Sequence, residues 1–224
     1  MEVRTFRLIA VTAAALTAVA MVPATAHAAT APVYQTAFAT CRANLAAPNS
    51  VLIIGDSITS GWFAAITAQF EAAGRPVCIN AQPGRTIAGG VAQLSRYKTG
   101  GLVTPRMTVV MAVGSCGTYG ATAGDIRWQV DNVVRIVGTK QRVVWVDVLR
   151  WVTNSGPVAQ RAYGLGTWVV NLQLWAKDAQ YPNVKVAHWN ALIRSNYTKY
   201  VFDGLHATRY GNTARNDLIM RTIG

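Results

Sequence analysis

Two short segments carry residues able to do nucleophilic chemistry. Gly55-Asp56-Ser57 closes a run of four large apolar residues, Val51 to Ile54. Asp203-Gly204-Leu205-His206 lies just ahead of the last stretch of the chain. A serine hydroxyl becomes a nucleophile when a base lies within hydrogen-bond reach and a third group orients that base. One short turn would present both Asp203 and His206, and the carboxylate could then hold a single imidazole tautomer. Each segment also has a plainer reading. Ser and Asp are favoured helix N-caps, and Asp-x-x-His also reads as a turn followed by a cap. Of the three histidines, His27 falls in an apparent leader and His188 ends a strand beside Trp189, where a structural role is expected. That leaves His206 as the candidate base.

The elements around these segments alternate. Val51–Ile54 reads as a buried strand, and Ser60–Ala73 as a helix that stops at Gly74. Strands follow at Pro76–Asn80, Met107–Val113, Arg142–Leu149 and Val184–His188. Helical spacing covers Ile87–Lys98, Ala123–Val137, Thr167–Gln180 and Thr208–Ile223. Strands that alternate with helices predict a parallel sheet covered on both faces. Right-handed crossovers then favour a three-layer α/β/α sandwich, flavodoxin-like, with five parallel strands. In such a sheet, ligand-binding groups gather at the carboxyl ends of the strands. Four segments meet that condition: Gly55-Asp56-Ser57, Asn80 to Thr86, Gly114 to Gly120, and Asp203 to His206. Arg150 to Thr167, with Gly156, Pro157, Gly164 and Gly166, is the longest irregular stretch expected, and long loops are often functional.

The 224 residues suit one domain with a sizeable core. Residues 1–28 read as a secretory signal: Arg4 and Arg7, an apolar run from Leu8 to Val22, then small residues with cleavage after Ala28. The run is short for a membrane span, and no later segment is long enough for one. A secreted, extracellular chain without a transmembrane anchor is expected. Residues 29–50, with Pro32 and Pro48, read as an irregular lead-in. The formal net charge is +12; the charges are scattered rather than clustered, which argues against a nucleic-acid partner. Anionic polymers or lipid head groups at a cell surface, or plain solubility, account for it equally well. An oxidising compartment permits a disulfide. With three cysteines, Cys41 and Cys78 are the favoured pair, because one precedes the first strand and the other lies in the second. The spacing alone leaves other pairings open. Asp125, Asp131 and Asp147 lack a His or Cys at ligand spacing, so no metal and no cofactor are expected.

Taken together, GDSITSG at 55–61 after a buried strand and DGLH at 203–206 resemble the SGNH/GDSL hydrolase superfamily. The resemblance covers the chain from Val51 onward, so residues 51–224 are expected to form one such domain. It implies ester hydrolysis without a metal, through an acyl-enzyme. Ser57 would be the nucleophile, and its own N–H would serve the oxyanion hole. Gly84, in Ala81-Gln82-Pro83-Gly84-Arg85, would give a second backbone N–H. Asp203 and His206 would be the orienting acid and the general base. That Ala-x-x-Gly-Arg block also looks like the one in SGNH domains that transfer acyl groups to sugars.

One position departs from the family pattern. Where the third block carries an oxyanion-binding Asn, this chain has Cys116, in Gly114-Ser115-Cys116-Gly117. A thiol is a weak donor, and loss of one oxyanion donor typically lowers turnover by about 10² to 10³. Ser115, Thr118 or Tyr119 could supply a hydroxyl instead, or Cys116 could be held in a disulfide. Cys116 as the nucleophile is disfavoured, since Ser57 has the strand–turn context. Among the seven tryptophans, Trp145 and Trp175 are expected in the core. Trp62 and Trp151 are candidates for lining the site, and Arg85 for holding substrate. The expected function is a monomeric secreted serine esterase acting on short acyl esters, such as acetyl groups on cell-wall or extracellular polysaccharide. The alternatives are an O-acyltransferase on glycans and a catalytically impaired glycan-binding protein.

Overall fold

The apolar runs at 51–54 and 109–113 have no polar alternation, which suits strands buried on both faces. The computed structural model describes residues 31–116, 122–151 and 157–224, with backbone alone at 157–159 and 161–163. The expected leader, 1–28, lies outside the described residues. Five parallel strands form the sheet: β2 (Val51–Gly55), β3 (Val77–Ala81), β4 (Thr108–Ala112), β5 (Arg142–Val146) and β6 (Val184–Ala187). A short β1 (Tyr34–Gln35) pairs antiparallel with β3, giving the order β1-β3-β2-β4-β5-β6. Alternate side chains serve opposite layers. Leu52 and Ile54 pack with residues of α4 (Ile87–Thr99), α5 (Ala123–Val137) and α6 (Pro157–Gln180). Val51 and Ile53 pack with residues of α3 (Phe63–Ala72) and α9 (Arg209–Ile223).

Several expected boundaries change. The lead-in is not irregular: besides β1 it holds α1 (Phe38–Ala46). Hydrogen bonds from Thr36 N to Ile79 O (2.9 Å) and from Asn44 Nδ2 to Val77 O (2.8 Å) fasten it to β3. Pro32 and Pro48 only flank these elements. The sheet therefore has six strands rather than five. The single helix expected over 60–73 is two: α2 (Ser57–Ser60) and α3, broken at Gly61 and Trp62. The stretch expected to be irregular up to Thr167 is helical from Pro157. Pro is tolerated in a first helical turn, and packing of α6 on the sheet and on α5 overrides the two glycines. Beyond β6, α7 (Trp189–Ser195) and α8 (Tyr197–Tyr200) were not expected from periodicity. Trp145 is in the core, but Trp175 is 41% exposed and not a core residue. Among the described residues no helix is long and apolar enough to cross a membrane.

Cys41 on α1 and Cys78 on β3 form a disulfide, with Cα atoms 4.9 Å apart and a sequence separation of 37. It anchors the added edge to the parallel sheet. A loop of that size removes about 4 kcal/mol of denatured-state entropy in the chain-entropy view. A Cys41→Ser/Cys78→Ser variant is expected to unfold about 10 °C lower in a thermal melt, at a few degrees per kcal/mol for this size. An unchanged midpoint would show that the edge is held without the bridge.

Candidate active site

The Gly55-Asp56-Ser57 turn is fixed by packing and by a cap. A Cβ on Gly55 would stand 2.3 Å from Thr59, so only glycine lets α2 fold back this closely on β2. Asp56 caps α2, accepting from Ile58 N at 3.1 Å. The plainer capping reading is therefore correct for Asp56 and compatible with a chemical role for Ser57. Ser57 starts the helix, where backbone N–H groups have no intrahelical partner.

The second segment is a tight loop closed by an antiparallel bridge between Val201 and Ala207. Asp203 Oδ1 accepts from the backbone N–H groups of Leu205 (3.0 Å) and His206 (2.7 Å). This Asx-turn leaves Oδ2 for His206 Nδ1, at 2.6 Å. Burial alone would raise the Asp203 pKa. The His206 ring and the two N–H groups outweigh it and hold the carboxyl below its ordinary range. Gly204 has φ +87°, and a Cβ there would strike the Trp151 carbonyl. That close approach explains the glycine in Asp-Gly-Leu-His.

Tertiary packing brings the segments together. His206 Nε2 lies 3.0 Å from Ser57 Oγ, so Ser57, His206 and Asp203 form one hydrogen-bonded line. They border a cleft of about 280 Å³ lined by Ser57, Ile58, Trp62, Phe202, His206 and Ala207. Trp62 borders this cleft, its Nε1 donating to Ala207 O at 3.0 Å. Phe202 was not expected. It is 68% exposed and stacks on the His206 ring, with centroids 6.0 Å apart. Its position directly before Asp203 was the available signal. The ring of Trp151 is turned toward Gly164, 3.9 Å from where a Cβ would stand there. Its backbone meets the loop, with Trp151 N donating to Gly204 O at 2.8 Å.

The second and third blocks meet through a parallel bridge between Thr86 and Cys116. This puts Gly84 next to the free Cys116 thiol. Burial pushes the thiol pKa up, and the Asp56 charge adds to this. The Ser115 hydroxyl, Arg150 and the Gly84 N–H act against them without reversing the shift. Cys116 is thus a thiol near neutrality. Thr118 and Tyr119, named above as substitute donors, lie outside the described residues. Arg85 is a correction. It is 5% exposed, and its guanidinium donates to Gly55 O (3.0 Å), Asn80 O (2.6 Å) and Asn80 Oδ1 (2.7 Å). It braces the strand ends from inside and is not available to substrate.

No protein-family profile matches the sequence, and no curated protein matches it by sequence. Solved structures do match the fold. The C-terminal catalytic domain of peptidoglycan O-acetyltransferase A from Streptococcus pneumoniae, with a methylsulfonyl adduct, superposes with a TM-score of 0.63 at 15% identity, covering 79% of this chain and 93% of that one. A GDSL-like lipase from Bacteroides thetaiotaomicron gives 0.63 at 17% identity, covering 83% and 95%. A lipolytic protein of the G-D-S-L family from Veillonella parvula gives 0.61 at 17% identity, covering 77% and 96%. The chain has the SGNH hydrolase fold.

Beneath the candidate nucleophile this SGNH fold encloses charges that sequence reasoning missed. Asp56 is buried, and the Ser115 hydroxyl donates to its Oδ2. Burial raises its pKa, while Ser115, the Arg215 charge and the Ile58 N–H pull it back. Arg215 of α9 is 2% exposed. Burial lowers its pKa to about 10, against the opposing field of Asp56. The signal was an Arg in the core-facing register of a helix, with Gly211, Ile219 and Ile223 at four-residue steps. Removing one of two opposite buried charges leaves the other less compensated. Asp56→Asn and Arg215→Met are each expected to destabilise the protein, while the double variant loses less than the sum. Urea unfolding of the four proteins should give a coupling of about 0.5–3 kcal/mol; additive losses would refute the electrostatic coupling.

Proposed function

We propose that this protein is a secreted serine-dependent ester hydrolase that removes short acyl groups from acylated glycans. The observation that carries this reading is the line Ser57 Oγ–His206 Nε2–Asp203 Oδ2, at 3.0 and 2.6 Å. In the proposed reaction, His206 takes the Ser57 proton as Oγ attacks the ester carbonyl. The N–H groups of Ser57 and Gly84 hold the tetrahedral oxyanion. Its collapse breaks the ester C–O bond, and His206 returns the proton to the leaving alcohol. Water, deprotonated by His206, then attacks the acyl-enzyme, releasing the acid and restoring Ser57. Asp203 keeps the imidazole in the tautomer that leaves Nε2 free to accept.

Cys116 does not compete as nucleophile, because burial keeps it protonated and the thiolate is the reactive form. At the family's Asn position it is a poor third donor to the oxyanion. The disulfide supports export, as do the leader-like residues 1–28. The cleft between Trp62 and Phe202 suits a small acyl group. A second reading, transfer of the acyl group to a sugar hydroxyl instead of water, is favoured by the Ala-x-x-Gly-Arg block at 81–85. The fold likeness to the pneumococcal transferase domain adds to it.

Hydrolysis of p-nitrophenyl acetate tests the common step. Ser57→Ala is expected to lower kcat by about 10⁶, as loss of a triad serine does elsewhere. Cys116→Asn should raise kcat by about 10², the worth of one restored oxyanion donor. A wild type no faster than Ser57→Ala, together with an inactive Cys116→Asn, would overturn the esterase reading. Acyl transfer to an added glycan acceptor would move the second reading ahead.

A further inference from the structure

Arg150 and Trp151 are neighbours in sequence and fasten two different parts of the candidate site. Arg150 Nη1 donates to Ser115 O at 2.8 Å. Trp151 N donates to Gly204 O at 2.8 Å, and Trp151 O accepts from Tyr197 Oη at 3.0 Å. Arg150 thus holds the third block, and Trp151 the loop that carries Asp203 and His206. Strand β4 lies between β2 and β5 in the sheet. The third block, at the end of β4, therefore stands between the ends of the strands that lead to Ser57 and to Arg150.

Ser115 is held between opposite charges. Its hydroxyl donates to Asp56 Oδ2, and its carbonyl accepts from Arg150. That carbonyl belongs to the peptide bond that enters Cys116. Cys116 is bridged to Thr86, and its thiol meets the Gly84 N–H, one of the two backbone donors assigned to the oxyanion. The thiol therefore reports on the place where the ester oxygen would become negative. A field that favours a thiolate there also favours an oxyanion, because both put one negative charge in the same half-enclosed position. The Asp56 carboxylate works against an anion at Cys116, and the half-buried Arg150 guanidinium works for it. With a thiol where an amide donor would stand, the guanidinium offsets Asp56 from within the third block's own contacts.

We propose that Arg150 is a charged positioning residue of the reaction. It fixes the Ser115–Cys116 peptide beside Gly84 and lays a positive field over the forming oxyanion, in part replacing the donor that Cys116 does not provide. This rests on the esterase reading above and deepens it. A neutral ester gives the field little to act on, whereas the tetrahedral intermediate carries a full negative charge. The contribution therefore falls on kcat rather than on KM.

The test compares four forms of the full chain in hydrolysis of p-nitrophenyl acetate, each checked for folding by a thermal melt. Arg150→Lys keeps the charge, Arg150→Gln keeps a donor without the charge, and Arg150→Met keeps neither. Gln and Met are each expected to lower kcat about tenfold or somewhat more, below the 10² to 10³ typical of a direct oxyanion donor. KM should stay within about twofold, and Lys should recover most of the rate. Equal losses in all three variants, an unchanged kcat in Gln and Met, or a loss confined to KM would each overturn the role. A second readout needs no turnover. With Cys41 and Cys78 joined, Cys116 is the free thiol, and its ultraviolet thiolate absorbance can be titrated against a Cys116→Ser blank. The titration should move to higher pH in Arg150→Gln and stay in place in Arg150→Lys; an unmoved titration in Arg150→Gln would overturn the field. A wild type that does not hydrolyse the ester would remove the esterase reading, and the thiol titration would still decide whether the Arg150 charge reaches this position.

Discussion

Asp56 is a carboxylate almost without access to water, and the direction of the Ser57 hydroxyl depends on how it is held. Its two oxygens take the Ile58 N–H from the helix it caps and the Ser115 hydroxyl from the end of β4. Arg215 supplies a buried positive charge from α9. A carboxylate in this low-dielectric setting cannot exchange these partners for solvent, so each contact is stronger than at a surface. Strand β2 and the third block are thereby tied to one side chain, and the last helix sets an opposite charge in its field. The four-residue α2 could not hold Ser57 by its own hydrogen bonds, since so short a helix is unstable alone.

The two halves of the candidate triad are built on different principles. Asp203 and His206 are preorganised locally, by an Asx-turn that needs only the seven residues of the closed loop. The approach of His206 to Ser57 spans 149 positions and rests on α3 packing against α9. Gln69 clasps Asp217 and Asn216 at 2.7 and 2.8 Å, and Trp62 reaches Ala207. Since the hydrogen-bond distance is the sum of these contacts, residues far from the cleft set the geometry of the proposed proton transfer. This is the usual division between a rigid scaffold and the loops it presents.

The tryptophans show how one residue type serves separate ends in a single fold. Trp145 and Trp189 are fully enclosed, while Trp62 is half-buried and borders the cleft. Trp151, Trp168 and Trp175 keep one face in water. Helical or alternating spacing does not separate these cases. Trp175 sits one position after Leu174, a core residue, and the rotation of 100° per residue carries it out of the core and beside His188.

The sequence by itself determined what depends on neighbours along the chain. The apolar run at 51–54 and the strongly apolar stretch at 107–113 have to be doubly covered strands, and the alternation with helices leaves a parallel three-layer sheet as the economical arrangement. Asp203 and His206, three positions apart, have to share a turn, and a Gly-Asp-Ser after a buried strand has to sit at the sheet's edge. The tertiary structure decided what depends on partners distant in sequence. It placed Arg85 inside, where carbonyls of β2 and β3 take its donors, and buried Arg215 within the field of Asp56. It added β1 and α1 to the sheet, which the prolines at 32 and 48 had disguised as irregular chain. It also made α6 begin at Pro157, because a helix with a sheet to pack on tolerates glycines that would weaken it alone. Local pattern encodes which face of an element is apolar. It does not encode which charge, carbonyl or ring will lie opposite, because that is settled only when elements far apart in sequence close on one another.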